Sequence, residues 1–149
     1  MATPFVAAVF EVLSQLGFQD VKRGKLSVKE KMAASLEVTA LVGLSKQMRG
    51  NVAYCMSSDT AKKFASIMMM GMPVDQLDEM AQSAIAEAAN MITANAAMNL
   101  EAKGIAVNIS PPTLIIGENV RIRITQIQTL AVEILTDAGT IEVNLGLEV

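Results

Sequence analysis

Residues 77–102 read LDEMAQSAIAEAANMITANAAMNLEA, and this stretch predicts one long helix. Its Ala, Met, Leu, Glu and Gln residues are good helix formers, and neither Gly nor Pro interrupts them. Asp78 and Glu79 lie where the helix dipole favours negative charge, and Lys103 followed by Gly104 is a typical helix end. We expect the rest of the fold to be arranged around this helix.

One face of the predicted helix carries polar groups among small side chains. At about 100° per residue, Ser83, Glu87 and Asn90 fall within about 60° of one another. The opposite face is an apolar stripe suited to packing on a sheet, made of Ile85, Ala88, Ala89, Ile92, Ala96 and Leu100. Where an ordinary surface helix would carry charges, the polar groups are flanked by Met80, Ala84, Met91, Ala94 and Met98.

Two interpretations of this polar face are open. Exposed apolar residues around a few polar groups suggest a docking site for a partner. Alternatively, Ala and Met merely let the helix pack closely while Glu87 is solvated. The helix pattern by itself favours the second interpretation.

Length and composition indicate a single domain that spans residues 1–149 and has a core of its own. A net charge of −3 without blocks of like charge argues against binding a nucleic-acid backbone. The apolar segments are too short to span a membrane, and the start of the chain has no secretion signal, so a cytoplasmic protein is expected. The single Cys55 cannot form an internal disulfide.

The residue types that are missing narrow the chemistry. The chain has no His, which excludes catalytic triads that need imidazole and most zinc or iron sites. It has no GxGxxG or Walker-type loop for nucleotides. Asp75 and Asp78 are better explained by helix capping than by a metal. An enzyme built from this chain would work with carboxylates, amides and the positioning of reactants.

The remaining segments predict an α+β fold. A first helix is expected over residues 4–16, and a strand pair over 35–45 and 51–56. Ser57, Ser58 and Asp59 would cap a helix that runs to about residue 70. Apolar alternation after Gly104 predicts strands over 106–109, 113–116, 120–125, 128–135 and 141–147. The total is three helices and six or seven mostly antiparallel strands.

Two segments of this prediction are less regular. The Lys-rich residues 19–34 suggest either a short strand or a solvated connector, and their polarity favours the connector. Pro111 and Pro112 cannot donate ladder hydrogen bonds, so they are expected at a sheet edge or a crossing.

The first helix repeats part of the long one. Glu11 and Ser14 have the same spacing as Glu87 and Asn90, and each helix precedes a pair of strands. The repeat could reflect an ancient duplication or two helices that happen to carry one Glu each. Taken alone, it favours coincidence.

The pattern Ser83-x3-Glu87-x2-Asn90, followed 22 positions later by Pro112, resembles the signature of the CheC/CheX/FliY family of bacterial chemotaxis phosphatases. The resemblance is strongest to CheX members and extends over nearly the whole chain. Further matching segments, in order and spacing, are Ser57-Ser58-Asp59-Thr60-Ala61, Met69-Met70-Gly71-Met72, Gln76-Leu77-Asp78-Glu79 and Ile109-Ser110-Pro111-Pro112-Thr113. This longer ordered set favours a working surface on the helix.

The resemblance implies three helices packed on a long, largely antiparallel sheet, and dephosphorylation of the aspartyl-phosphate on a CheY-type response regulator. Asn90 would then orient the attacking water, and Glu87 would contact a lysine of the regulator. The residues implied in partner binding are Ser83, Ala86, Met91 and Ala94, with Pro112 in support. Magnesium would belong to the regulator, this chain would need no cofactor of its own, and it would form a homodimer.

Family members with two sites carry the Glu–Asn pair on the first helix as well. Here Ser14 replaces that Asn, so the resemblance implies a copy without a site. Two other functions stay open: a non-catalytic binding module similar to the related flagellar switch domains, and a structural dimer whose subunits meet at the Ala/Met surface.

Overall fold

The computed structural model describes residues 2–29, 32–34, 37–117, 121–123 and 129–148. Its helices are α1 (Ala2–Leu16), α2 (Ser58–Met68) and α3 (Glu79–Glu101). Asp78 caps α3 by accepting a hydrogen bond from the Ala81 N–H at 2.9 Å, which satisfies a donor that a helix start leaves unpaired. No helix in the described part of the chain is both long and apolar enough to cross a membrane.

The predicted helices are confirmed with small shifts at their ends. The side chain of Ser57 caps α2, as expected from the sequence. This helix ends at Met68 rather than near residue 70, because Met70 adopts a left-handed backbone conformation with φ of +61°. Gly104 ends α3 with φ of +84°, a conformation that glycine adopts without steric cost.

The described residues form nine strands: β1 (Lys22–Lys29), β2 (Met32–Ala34), β3 (Val38–Lys46), β4 (Arg49–Met56), β5 (Val107–Ile109), β6 (Thr113–Ile116), β7 (Arg121–Arg123), β8 (Thr129–Thr136) and β9 (Gly139–Glu148). Seven of them build one sheet in the order β1-β8-β9-β4-β3-β5, and β6 also pairs with β3. Every pairing is antiparallel, and β2 pairs separately with β7. The expected strand starts at positions 35 and 120, and the expected residues 124, 125 and 128, lie outside the described residues.

The main core lies between the helices and one face of the large sheet. The predicted stripe of α3 is confirmed, because all six of its residues are buried in this core: Ile85, Ala88, Ala89, Ile92, Ala96 and Leu100. Alternate residues of the central strand β4, such as Tyr54 and Met56, face the helices from the sheet side. The outer face of α3 is therefore left for other contacts.

The expectation of a solvated connector over residues 19–34 is wrong. Lys22–Lys29 form β1, which pairs with β8 along its whole length. An edge strand tolerates lysines and arginines because one side of it faces water, so polarity alone did not distinguish it from a loop. Pairing with β8, which is distant in sequence, decides the conformation.

The topology shows that the chain is built from two similar halves. The first runs α1-β1-β2-β3-β4, and the second runs α3-β5/β6-β7-β8-β9. Exchanging the halves reverses the sheet order and leaves every pairing intact, since β4 pairs with β9, β2 with β7, and β1–β8 corresponds to β5/β6–β3. This correspondence extends over a whole sheet, so it favours duplication over coincidence. The sheet topology therefore supports duplication as the origin of the spacing shared by Glu11–Ser14 and Glu87–Asn90, which the helix spacing alone did not favour.

Candidate functional site

A cleft of about 440 Å³ lies between the outer face of α3 and the segment that joins β5 to β6. The residues that line it are Ser83, Ala86, Glu87, Asn90, Ile109, Ser110, Pro111 and Pro112. The structure thus brings the predicted Ser83, Ala86, Glu87 and Asn90 together with the predicted Pro112. An open cleft with a polar α3 wall is suited to receive a protruding part of another molecule.

The wall opposite α3 is a break in an edge strand. Ile109 of β5 pairs with Leu44, and Thr113 of β6 pairs with Leu41, so three residues lie opposite two. This one-residue excess is a β-bulge, and it contains the two prolines, as the sequence predicted for an edge. The bulge carries the prolines to the cleft.

Ser110 holds the bulge in place. Its Oγ accepts a hydrogen bond from the Gly43 N–H at 2.8 Å, and its own N–H donates to the Gly43 carbonyl at 2.9 Å. A Cβ on Gly43 would lie 3.1 Å from the Ser110 Oγ, so the close approach favours glycine at this position. These two hydrogen bonds therefore fix the Ser110 part of the wall against β3.

The α3 wall presents its functional groups at different depths. Ser83 and Glu87 are exposed, whereas Ala86 and Asn90 are half-buried. Asn90 is therefore less exposed to solvent than Glu87 in the same cleft. Because Ala86 has a single methyl group, it leaves space beside Asn90 for atoms of a partner.

Two predicted partner-binding residues lie outside the cleft lining. Met91 is half-buried and packs partly against the main core, and Ala94 is half-buried one turn beyond Asn90. Three lining residues were missed as site residues, namely Ile109, Ser110 and Pro111. Their signal in the sequence is the interruption of a strand by two prolines, which predicted a break but not what the break would face.

The charge of the cleft comes from one group. Among the described residues that line it, Glu87 carries the single formal charge. The described part of the chain contains no group of three or more His, Cys, Asp or Glu side chains placed to hold a metal ion. The cleft therefore offers a carboxylate for a cation of a partner and an amide for hydrogen bonding.

The equivalent position in the first half has the same backbone but different side chains. Arg23 pairs with Ile134 and Leu26 pairs with Val132, so β1 has the same one-residue excess as β5/β6. On α1, an exposed Ser14 takes the place of Asn90, next to the exposed Glu11. At the position of Ala86 stands the half-buried Phe10. This half thus lacks the amide and carries a phenyl ring where the second half has a methyl group.

Beneath the cleft, a buried pair of hydroxyl groups connects α3 to the sheet. The Tyr54 Oη of β4 lies 2.8 Å from the Thr93 Oγ1 of α3, and both residues are buried. The Thr93 Oγ1 donates its single hydrogen to the Ala89 carbonyl at 2.8 Å, so Tyr54 is the donor toward Thr93. Burial raises the pKa of the Tyr54 phenol above its usual value, and the hydrogen bond with Thr93 offsets part of that rise.

Comparisons with known proteins agree with one another. The family model of the chemotaxis phosphatase CheX matches residues 38–135. The CheY-P phosphatase CheX of Thermotoga maritima is 36% identical over 118 residues, which cover 79% of this chain and 76% of that protein.

Two solved structures match almost the whole fold. The chemotaxis protein CheX of Desulfovibrio desulfuricans has a TM-score of 0.87 and 27% identity, with 99% of this chain and 98% of that chain covered. The CheX-CheY-BeF3-Mg complex of Borrelia burgdorferi has a TM-score of 0.84 and 30% identity, with 99% and 97% covered. The chain thus belongs to the CheX family of chemotaxis phosphatases.

Proposed function

We propose that this protein dephosphorylates the aspartyl-phosphate of a CheY-type response regulator. The observation that carries the proposal is the cleft in which Glu87 and Asn90 face the Ser110–Pro112 wall. Membership of the CheX family supports the reaction, and a relative 36% identical to this chain is a CheY-P phosphatase. The structural similarity to CheX in a complex with CheY supports the partner.

Asn90 is proposed to orient the attacking water. An amide oxygen can accept a hydrogen bond from water while the NH₂ group donates to a phosphoryl oxygen. Since phosphoryl transfer depends mainly on the in-line placement of the nucleophile and on charge stabilisation, a positioned amide is sufficient for this role. An amide does not titrate near neutral pH, so its contribution should be independent of pH.

Glu87 is proposed to dock the regulator. Its carboxylate is exposed on the rim of the cleft, one turn before Asn90, and can pair with a lysine ammonium of the partner. Ser83, one turn further toward the helix start, borders the same contact. Ala86 and Ala94 are small enough for the partner backbone to approach α3 closely. The half-buried Met91 would contact the partner beside them.

Magnesium is proposed to enter the reaction with the regulator. Mg²⁺ prefers several oxygen ligands in an octahedral arrangement, and one carboxylate among the described lining residues does not provide them. The residues of this chain therefore do not fit a resident Mg²⁺ at the cleft. This chain itself contributes the placement of the water, the contact with the partner and the shape of the cleft.

A binding module without catalysis is the alternative that must be separated from a phosphatase. The decisive experiment measures phosphate release from phosphorylated CheY-type regulators with and without this protein. Asn90→Ala is expected to lower the acceleration about 100-fold or more, as removal of a positioned catalytic group does. Asn95→Ala is the matched control, because it removes an amide from the same helix at a position outside the cleft lining.

Two results would contradict the proposal. If the wild-type protein binds phosphorylated regulators but does not shorten their phosphorylated lifetime, it is a binding module. If Asn90→Ala and Asn95→Ala have the same effect, Asn90 has no special part in the reaction.

We also propose a cytoplasmic homodimer. At the edge of the described sheet, β1 exposes Leu26 to 51% and Val28 to 62%. An edge strand with exposed apolar side chains is suited to contact another chain. Light scattering should give twice the mass of 15.8 kDa, and a Val28→Lys change should lower it. A wild-type mass of one chain at all working concentrations would contradict the dimer.

A further inference from the structure

The buried contact between Tyr54 and Thr93 is placed directly behind the proposed site. Thr93 lies one helical turn after Asn90 and is turned toward the sheet. Tyr54 donates to Thr93 at 2.8 Å, and Thr93 donates to the Ala89 carbonyl, the residue before Asn90, at 2.8 Å. A continuous chain of hydrogen bonds thus connects the central strand β4 to the backbone that carries Asn90.

Besides Thr93, the buried α3 face consists of apolar side chains. Four of these residues are alanines, namely Ala81, Ala88, Ala89 and Ala96, and three are larger, namely Ile85, Ile92 and Leu100. Alanine methyl groups present a smooth surface, and burial of apolar area has no preferred direction. A hydrogen bond does have one, since it weakens steeply away from its preferred distance and angle. The Tyr54–Thr93 bond therefore adds a directional constraint on the rotation of α3 to the packing of these apolar side chains.

The duplicated half of the molecule provides an internal comparison. The strand that corresponds to β4 is β9, and its core-facing residues beside the helices are apolar, such as Val143 and Leu145. The shared spacing of the two helices places Gly17 at the position of Thr93, and α1 ends just before it. The half that carries Ser14 in place of Asn90 therefore cannot form this contact. The hydroxyl pair occurs in the half that has the amide.

We infer that Tyr54 and Thr93 are positioning residues for the phosphatase reaction, which set the rotation of α3 and thereby direct Asn90 into the cleft. This inference rests on the proposed function. Neither side chain is among the described residues that line the cleft, so both act through Asn90. Tyr54 is suited to this role because its buried phenol stays protonated and remains a donor.

Three substitutions test the inference in the full-length protein. Tyr54→Phe removes the donor and keeps the ring, Thr93→Val removes the hydroxyl and keeps the shape, and Thr93→Ser keeps the hydroxyl. We expect Tyr54→Phe and Thr93→Val to lower kcat for phosphate release about tenfold through misplacement of the amide, with KM for the phosphorylated regulator unchanged. Thr93→Ser should retain kcat within about twofold of the wild type.

A substitution elsewhere in the core serves as the control for a general loss of stability. Ile134→Val on β8 is expected to lower the free energy of unfolding by an amount similar to that for loss of one hydrogen bond, and to leave kcat unchanged. If Ile134→Val and Tyr54→Phe lower kcat to the same extent, the effect is one of stability and the inference is wrong.

A double-mutant cycle with Asn90→Ala tests whether Tyr54 acts through Asn90. Tyr54→Phe should have no further effect on kcat once the amide is gone, because the placement of a methyl group does not orient water. An equal loss in both backgrounds would overturn the inference. A wild-type protein with no phosphatase activity would instead contradict the proposed function, so the two failures are distinguishable.

Discussion

Two exposed methionines on α3 allow a quantitative prediction about docking. Met80 and Met98 are exposed to 63% and 68%, and both point within about 20° of Glu87 around the helix axis. Along the axis they lie about 10 Å before and about 16 Å after Glu87. If a regulator docks along this line, both side chains become buried. Substitution by Gln, which has a similar length and helix propensity, should then weaken docking.

The magnitude follows from the exposed fractions. Complete burial of a Met side chain contributes about 1.5–3 kcal/mol, and docking can bury at most the 63% of Met80 that is exposed. We therefore expect Met80→Gln to cost about 1 kcal/mol, which corresponds to about a fivefold rise in KM for the phosphorylated regulator. Because Met80 and Met98 are about 27 Å apart on the helix, their effects should add, and the double variant should raise KM about 25-fold.

The assay is steady-state phosphate release at increasing concentrations of phosphorylated regulator. Turnover at saturation should stay unchanged, since neither side chain is among the described residues of the cleft lining. Leu135→Gln is the matched control, because Leu135 is an exposed apolar residue on β8, away from α3. A KM within twofold of the wild type in the double variant would refute docking along α3. A fall in kcat at constant KM would show that the methionines affect the reaction rather than binding.

Two further predictions concern charge and pH. Glu87→Gln keeps the size of the side chain and removes its charge, so we expect KM to rise up to about fivefold at low salt and to lose most of its salt dependence; unchanged salt dependence would argue against an ion pair with the regulator. Tyr54 is the single tyrosine, and its pKa is raised in the folded state, so its stabilising effect is complete below about pH 10 and decreases as the pH rises further. Denaturant unfolding between neutral pH and pH 11 should show this loss in the wild type and a smaller one in Tyr54→Phe, and equal losses in both would assign the effect to other groups.

Local structure was largely predictable from the sequence. The α3 segment contains strong helix formers without Gly or Pro, and its apolar stripe repeats with the helical period, so its bounds and buried face are as expected. The capping residues Ser57 and Asp78 were also recognisable, because a side-chain oxygen at a helix start satisfies a free backbone N–H. Period-two alternation located β8 and β9 for the same local reason.

The arrangement of these elements depended on contacts between residues far apart in sequence. Residues 22–29 are a strand because β8 pairs with them. The lysines in this segment did not predict that pairing. Pro111 and Pro112 predicted a break in a strand, but the register against β3 decides that the break is a bulge and that it faces α3. The contact between Tyr54 and Thr93 joins a strand to a helix 39 positions away.

The sequence by itself determined the long helix, its buried stripe and the row of Ser83, Glu87 and Asn90 on the other face, because these follow from the helical period alone. Its resemblance to a phosphatase family assigned roles to that row. Only the tertiary structure decided that Ser110–Pro112 stand opposite Asn90, that a tyrosine of the central strand donates a hydrogen bond to the buried side of α3, and that two similar halves share one large sheet. The physical reason is that hydrophobic period and capping act within a few residues, whereas strand pairing and side-chain hydrogen bonds join distant segments whose partners no local pattern specifies.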